Sequence, residues 1–144
     1  QLELVTRHLG DIPIVPAAHQ SYLDRRGTPQ TPLDLADHDL IGFDRSDLII
    51  AHAQKLGFPL RRDQFKLRSD DQAALWELLR AGLGIGFAQA NLLRTTPGMV
   101  ALPIDLSIPP LEVWLTTHRE LFTSHRIRAI YDALAEGLGA YIRQ

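Results

Sequence analysis

Short stretches that alternate apolar and polar residues are interleaved with stretches whose apolar residues recur every three to four positions. The alternating or short apolar stretches predict strands at 2–6, 12–18, 40–43, 64–68, 85–88, 100–102 and 111–117. The helical period predicts helices at 21–26, 46–56, 69–81, 91–93 and 124–142, and Thr31-Pro32 predicts one further helix start. Strands and helices therefore alternate, which is typical of an α/β layered domain with a largely parallel sheet.

Residues 69–87 form the most informative segment, because they predict a capped amphipathic helix followed by a buried strand. Ser69 or Asp70 can accept hydrogen bonds from the free N–H groups of the first turn. Gly82 and Gly84 permit the positive φ that ends a helix. An exposed helix start beside buried strands can hold a small anion, so we predict a binding wall here. The apolar positions of this helix share one face: Ala74, Leu75, Leu78 and Leu79.

The faces of two predicted helices, at 69–81 and 124–142, indicate what each helix packs against. Trp76 and Leu79 are expected on or near the exposed side of the 69–81 helix, with core packing as the default role and contact with another copy as the alternative. Ser124 is the predicted cap of the last helix. One apolar stripe runs along that helix: Ile127, Ile130, Tyr131, Leu134, Leu138, Tyr141 and Ile142.

Composition indicates a folded globular piece. Of the 144 residues, 45% are apolar and 22% charged, and no apolar run approaches the roughly 18 residues of a membrane span. The absence of cysteine excludes disulfides and thiolate chemistry. A net charge of −2 argues against binding of a nucleic acid by this piece alone. Gln1 at the start and Met99 as the only methionine lead us to expect a longer protein. The densest basic group is interpreted as a solvated face: Arg61, Arg62, Lys66 and Arg68.

Motifs for catalysis and metal binding are weak. The glycines at 82, 84 and 86 lack the spacing and strand-to-helix order of a dinucleotide loop. The histidines lack helical metal spacing, and His38 between two aspartates is interpreted as a surface turn. Asp70-Asp71 are interpreted as capping residues rather than an acid–base pair, and no G-x-S-x-G elbow is present. We therefore expect no enzyme, no catalytic residue, no metal site and no cofactor.

Four stretches in order resemble one protein family. They are SYLDRRGTP at 21–29, TPLDLADHDLI at 31–41, the unit 70–87 with AGLGI at 81–85, and VWL at 113–115 followed by SHRIRA at 124–129. Together they resemble the effector-binding domain of LysR-type transcriptional regulators. The resemblance implies a type 2 periplasmic-binding-protein-like fold of two Rossmann-like lobes, here mainly lobe two plus the C-terminal part of lobe one.

The resemblance also implies a division of the chain. Residues 1–15 are expected to be the end of lobe one and the first crossing strand. Residues 16–112 are expected to be the effector-binding lobe two. Residues 113–144 are expected to be the second crossing strand and a C-terminal helix that returns to lobe one.

By the same resemblance, a set of residues is expected to contact the effector. Ser69 occupies the position that helps to hold carboxylates or sulfates in the family. Two departures from the family pattern, at His19-Gln20 and at Gln89, make the expected cleft more polar. The full expected set is Ser69, Asp70, Phe43, Ala17, Ala18, His19, Phe87 and Gln89.

The function implied is that of an effector-sensing fragment of a bacterial, cytoplasmic transcription regulator. A small polar or anionic molecule is expected in the cleft between the lobes. Self-association as a dimer or tetramer is expected, with DNA contacted only through an N-terminal winged helix-turn-helix domain and no contact with a membrane. The alternatives are a transporter's solute-binding protein with the same fold and a small α/β enzyme that uses His38.

Overall fold

The computed structural model describes residues 3–58 and 60–144, and these fall into two compact units. Unit 1 comprises Gln1–Pro13 and Pro110–Gln144, and unit 2 comprises Ile14–Pro109. The predicted strand at 2–6 falls partly outside the described residues, at Leu2. The assignment of the units to lobes one and two stays a prediction.

The secondary structure follows the predicted order. The strands are β1 (Leu4–Ile12), β2 (Ile14–His19), β3 (Leu40–Gly42), β4 (Phe65–Arg68), β5 (Gly86–Gln89), β6 (Met99–Ala101) and β7 (Leu111–His118). The helices are α1 (Gln20–Arg26), α2 (Leu48–Lys55), α3 (Gln72–Arg80), α4 (Ala90–Thr95) and α5 (His125–Ile142). Short 3-10 helices cover Pro32–Asp37, Arg62–Gln64 and Leu121–Thr123. No helix in the described ranges is long and apolar enough to cross a membrane.

The strands of unit 2 line up in the order β4-β3-β5-β2-β6, where a single parallel bridge between Leu40 and Ile85 joins β3 to the start of β5. β3 pairs with β4 in parallel, whereas β2 pairs with both β5 and β6 in antiparallel orientation. Four of these five strands therefore point the same way, and β2 alone is reversed. The expectation of a largely parallel sheet is wrong for the two pairings of β2, because an apolar pattern carries no information on strand direction.

The core of unit 2 forms around side chains with almost no exposed surface, namely Tyr22, Leu35, Leu40 and Ile85. A second cluster lies under α3 and contains Ala17, Ile41 and Leu79. The shared apolar face of α3 is thus confirmed. The expectation that Leu79 lies near the exposed side is wrong, since the side chain is 2% exposed, and Trp76 packs against the same cluster.

In unit 1, β1 and β7 form a two-stranded antiparallel ribbon, and α5 packs on one face of it. The Tyr131 hydroxyl of α5 donates a hydrogen bond to the Leu115 carbonyl of β7 at 3.3 Å. The buried face of α5 is Tyr131, Ala135 and Gly139. The predicted stripe is therefore too wide, because small residues bring the helix close to the ribbon and leave several large apolar side chains exposed: Ile130, Leu134 and Leu138.

A pair formed by buried Tyr22 and half-buried His38 links α1 to the segment before β3. The Tyr22 hydroxyl accepts a hydrogen bond from the Asp39 N–H at 3.2 Å and lies 2.8 Å from His38 Nδ1. The hydroxyl hydrogen then donates to Nδ1, which favours the neutral imidazole. Burial, followed by the nearby Arg26 guanidinium, lowers the pKa of His38 from its usual value of 6.5.

We expect unit 2 to lose stability on mild acidification because of His38. The unfolded chain binds a proton at this histidine near pH 6.5, whereas folded His38 has a lowered pKa and binds it only at lower pH. The stability that neutral His38 gives unit 2 is therefore fully present above pH 6.5. It is lost as the pH falls from there toward the lower pKa of folded His38. Urea unfolding at a series of pH values from about 7.5 to about 5.5 measures this loss.

The matched variant for this measurement is His38→Gln, which should flatten the pH dependence of the urea midpoint across that window. The lowered carboxyl pKa values of Asp34 and Asp63 act only below 3.8, outside the window. A parent and a variant with the same slope would show that His38 does not cause the dependence.

Candidate functional site

The loops that follow β3 and β4 meet at one edge of the unit 2 sheet. The Ser69 N–H donates to the Gly42 carbonyl at 3.1 Å. One carboxylate oxygen of Asp70 accepts from the backbone N–H groups of Asp44, at 3.1 Å, and Arg45, at 3.0 Å. Asp70 thus joins the two loops. The carboxyl ends of β3, β4 and β5 lie at this same edge of the sheet.

Three guanidinium groups gather around two carboxylates at this edge. Arg62 and Arg68 both contact the Asp44 carboxylate, at 2.9 and 3.3 Å. Arg45 lies 3.5 Å from the Asp70 carboxylate, and its side chain is 92% exposed. These three arginines and two aspartates carry one more positive than negative charge, and Asp71 at the start of α3 offsets that excess. Arg45 can turn toward a ligand without leaving a buried partner behind. We call residues 43–46 and 68–71 together with Arg62 the arginine surface.

The start of α3 differs from the sequence expectation. Asp71, and not Ser69 or Asp70, caps the helix, because its carboxylate accepts from the N–H groups of Ala73 at 2.8 Å and Ala74 at 3.2 Å. The Ser69 hydroxyl oxygen accepts from the Asp71 N–H at 3.1 Å, so its own hydrogen can still be donated to a ligand. A carboxylate thus already occupies the positive end of the helix, and the positive charge of the site comes from arginines.

The remaining predicted residues fall into two places. Phe43 lines a shallow depression on the arginine surface, beside Arg62 and Arg68. Phe87 and Gln89 lie on β5, whose carboxyl end is at the same sheet edge because β5 runs in the direction of β3.

Residues 17–19 do not lie where the chain crosses between the units. The chain passes from unit 1 to unit 2 between Pro13 and Ile14, and residues 17–19 lie further along β2. Ala17 and Ala18 are fully buried in the core. Gln89 pairs with Ile14 at the start of β2, whereas His19 ends that strand at the opposite sheet edge.

His19 has a local structural role in unit 2. Its Nδ1 accepts from the Ser21 N–H at 3.1 Å and so caps α1. His19 also lines a second depression together with Glu77, Arg80 and Pro97. The structure therefore separates His19 from Ser69, Asp70 and Phe43.

Sequence reasoning missed the arginines of the site. Arg62 and Arg68 belong to the basic group that the sequence analysis interprets as a solvated face, and Arg45 has no motif around it. The signal that could have found Arg45 is its place directly after a short buried strand, in the loop where α/β proteins hold ligands. Asp44, which fixes Arg62 and Arg68, could have been found in the same way.

Comparison with known proteins gives a family match and several similar structures. The family model described as LysR substrate binding domain matches residues 1–139. No curated protein sequence matches the chain. These findings concern a domain of transcriptional regulators and not a class of enzymes, and they do not favour a transporter's solute-binding protein.

The similar structures are regulatory domains of LysR-type regulators. The regulatory domain of CrgA from Neisseria meningitidis is 24% identical with a TM-score of 0.75, over 92% of this chain and 68% of that one. Full-length CrgA is 22% identical with a TM-score of 0.74, over 94% of this chain and 48% of that one. The CcmR regulatory domain of Synechocystis, in complex with 2-PG, is 17% identical with a TM-score of 0.63, over 94% of this chain and 67% of that one. The chain thus spans about half the length of the full-length regulator.

Proposed function

This chain belongs to the LysR substrate-binding domain family, and on that premise we propose that it senses a small anion through the arginine surface of unit 2. The observation that supports this proposal is the gathering of Arg45, Arg62 and Arg68 beside the Ser69 hydroxyl at the carboxyl edge of the sheet. Guanidinium groups bind carboxylates and phosphates through paired, charge-assisted hydrogen bonds. A carboxylate, sulfate or phosphate group therefore fits this surface chemically.

The carboxylates of the surface hold it ready for such a ligand. Asp44 orients Arg62 and Arg68, and Asp70 fixes the loop that carries Arg45. Little conformational entropy is therefore lost when an anion binds. An arriving anion replaces the exposed pair between Arg45 and Asp70, which is weak in water. Phe43 and Gln89, at the same edge, would contact the remainder of the effector.

The link to transcription belongs to the same proposal. A ligand shifts a conformational equilibrium only by its difference in affinity for the two states. We propose that the bound anion favours one arrangement of the full regulator, which self-associates, acts in the cytoplasm and contacts DNA through an N-terminal winged helix-turn-helix domain. Family membership and the extra length of full-length CrgA support this part.

The test is a binding screen against dicarboxylates, amino acids, aromatic acids, sulfate and phosphate, followed by calorimetry on the best ligand. We expect Arg45→Gln and Ser69→Ala each to weaken binding of that anion about tenfold or more, which corresponds to about 1.4 kcal/mol. Arg45→Gln removes an exposed side chain and should leave the fold intact.

The matched control is Arg61→Gln, which removes the same charge from unit 2 at an exposed side chain paired with Asp63. This variant should bind the anion within about twofold of the parent. Equal losses in Arg45→Gln and Arg61→Gln would show a nonspecific charge effect. Unchanged binding in both Arg45→Gln and Ser69→Ala would show that the anion binds elsewhere.

A further inference from the structure

A second group of polar side chains lies in unit 1, on the face of the β1–β7 ribbon that points away from α5. In a regular strand His8 and Asp11 would point to opposite faces, because side chains alternate with a period of two. The register of the ribbon shifts between His8 and Gly10, and this bulge adds one residue to β1. His8 and Asp11 therefore share one face, and their side chains meet at 2.9 Å.

The opposite strand completes the group. Glu112 on β7 is the direct register partner of Asp11, and Trp114 is the partner of His8. Nε2 or Nδ1 of His8 and a carboxylate oxygen from each of Asp11 and Glu112 all lie within 4.8 Å of one another. One nitrogen and two oxygen ligands are thus presented together from two neighbouring strands.

Two features of this group point to a cation. Asp11 and Glu112 are like charges placed directly opposite each other in an antiparallel pair, an arrangement that is destabilising unless a positive charge offsets it. The His8 ring packs on the Trp114 ring with centroids 4.7 Å apart, so the imidazole is held over the ribbon and not left free to rotate. A cation between the two carboxylates would offset their repulsion and use the oriented imidazole.

We propose that His8, Asp11 and Glu112 bind a divalent transition metal ion, for which Zn²⁺ is the probe. Imidazole nitrogen with carboxylate oxygen suits Zn²⁺, whereas Mg²⁺ prefers oxygen ligands alone. Bonds of about 2.0–2.2 Å in a tetrahedral arrangement place donor atoms about 3.4 Å apart. The donor atoms of the group lie within 4.8 Å of one another, and rotation of the exposed Asp11 and Glu112 side chains would bring them to this spacing around the oriented imidazole.

Such an ion would join β1 to β7 next to the points where the chain leaves unit 1. Asp11 lies two residues before Pro13, and Glu112 lies two residues after Pro110. The ion would therefore hold together the two strand ends between which all of unit 2 is inserted. The site is independent of the arginine surface, because every ligand comes from unit 1.

Calorimetric titration of the tag-free chain with ZnCl₂ tests the site. We expect one Zn²⁺ per chain, with binding weakened about tenfold or more by His8→Gln and by Glu112→Gln and no comparable binding of Mg²⁺. The control is His118→Gln, which removes an exposed histidine from the far end of β7 and should change Zn²⁺ affinity less than about twofold. No Zn²⁺ binding by the parent, or equal losses in His8→Gln and His118→Gln, would overturn the proposal.

Stability supplies a second measurement. Glu112→Gln removes the like-charge pair, so without metal it should unfold at a higher urea concentration than the parent, while losing the stabilisation that Zn²⁺ gives the parent. Trp114 fluorescence in a Trp76→Phe background reports unit 1 alone, because each unit contains one tryptophan. Equal stabilisation of the parent and Glu112→Gln by Zn²⁺ would contradict the site.

Discussion

Replacement of Leu40 by alanine is expected to lower the free energy of unfolding of unit 2 by about 3 kcal/mol. Leu40 has no exposed surface, and its strand is held between β4 and the start of β5. The sheet cannot collapse around the missing atoms, so a cavity adds to the lost burial of the side chain. Urea unfolding followed by Trp76 fluorescence, in a Trp114→Phe background, reports unit 2 alone.

The control for this substitution is Leu48→Ala in the first turn of α2. It removes the same atoms from a side chain that is 74% exposed. The expected change is within about 0.5 kcal/mol, since alanine is also a good helix former. Equal effects at Leu40 and Leu48 would show that Leu40 is not at the centre of the core.

Replacement of Gly84 by alanine is expected to destabilise unit 2 by about 2–3 kcal/mol. A Cβ atom at this position would lie 2.7 Å from the Asp39 carbonyl oxygen and 3.1 Å from Ile41 Cγ1. The Asp39 oxygen cannot withdraw easily, because it accepts a hydrogen bond from the Ile85 N–H at 2.9 Å. The two strands must therefore separate, which weakens the bridge between β3 and β5. The unit 2 urea unfolding described above measures the loss.

Gly137→Ala is the matched control, because it makes the same chemical change with the opposite expected sign. Gly137 lies within α5, and a Cβ atom there meets nothing within 4 Å. Alanine should stabilise the helix by about 0.5–1 kcal/mol, as measured by Trp114 fluorescence in unit 1. A neutral Gly84→Ala variant would show that β3 and β5 approach less closely than the structure has them.

These glycines show where sequence reasoning succeeded and where it failed. The helix stop at Gly82 is confirmed, with φ of 75°. Gly84 was also expected at positive φ, and that expectation is wrong, since the residue is required by the close approach of a neighbouring strand. A local turn depends on a few adjacent residues and can be predicted from sequence. A contact with Asp39 depends on strand pairing and cannot.

The candidate site also has some features that could be predicted from the sequence and others that could not. That Ser69 and Phe43 follow strands pointing the same way could be expected from the alternation of strands and helices. The choice of Asp71 as the cap depends on backbone angles over three residues, and Asp70 instead binds the loop before α2. The arginine surface joins Arg62 and Arg68 to Asp44 across loops distant in sequence.

The metal site proposed in unit 1 could not be expected from the sequence, for a physical reason. The expectation of no metal site rests on the lack of helical spacing between histidines, whereas His8 and Asp11 lie on a strand with a bulge. Without the bulge the same residues would point to opposite faces. One inserted residue therefore decides whether a ligand group exists, and the alternation of apolar residues does not reveal that residue.

The pairing of β1 with β7 has a consequence for the order of folding. Leu4 pairs with His118, so the ribbon closes only after the ribosome has released the intervening chain. Unit 2 is continuous in sequence and can fold during synthesis. β1 stays unpaired until β7 has been synthesised. A folded unit 2 shortens the effective loop that must be closed and lowers its entropic cost. Mutations that weaken unit 2 should therefore also slow the completion of unit 1, although no atom of unit 1 has changed.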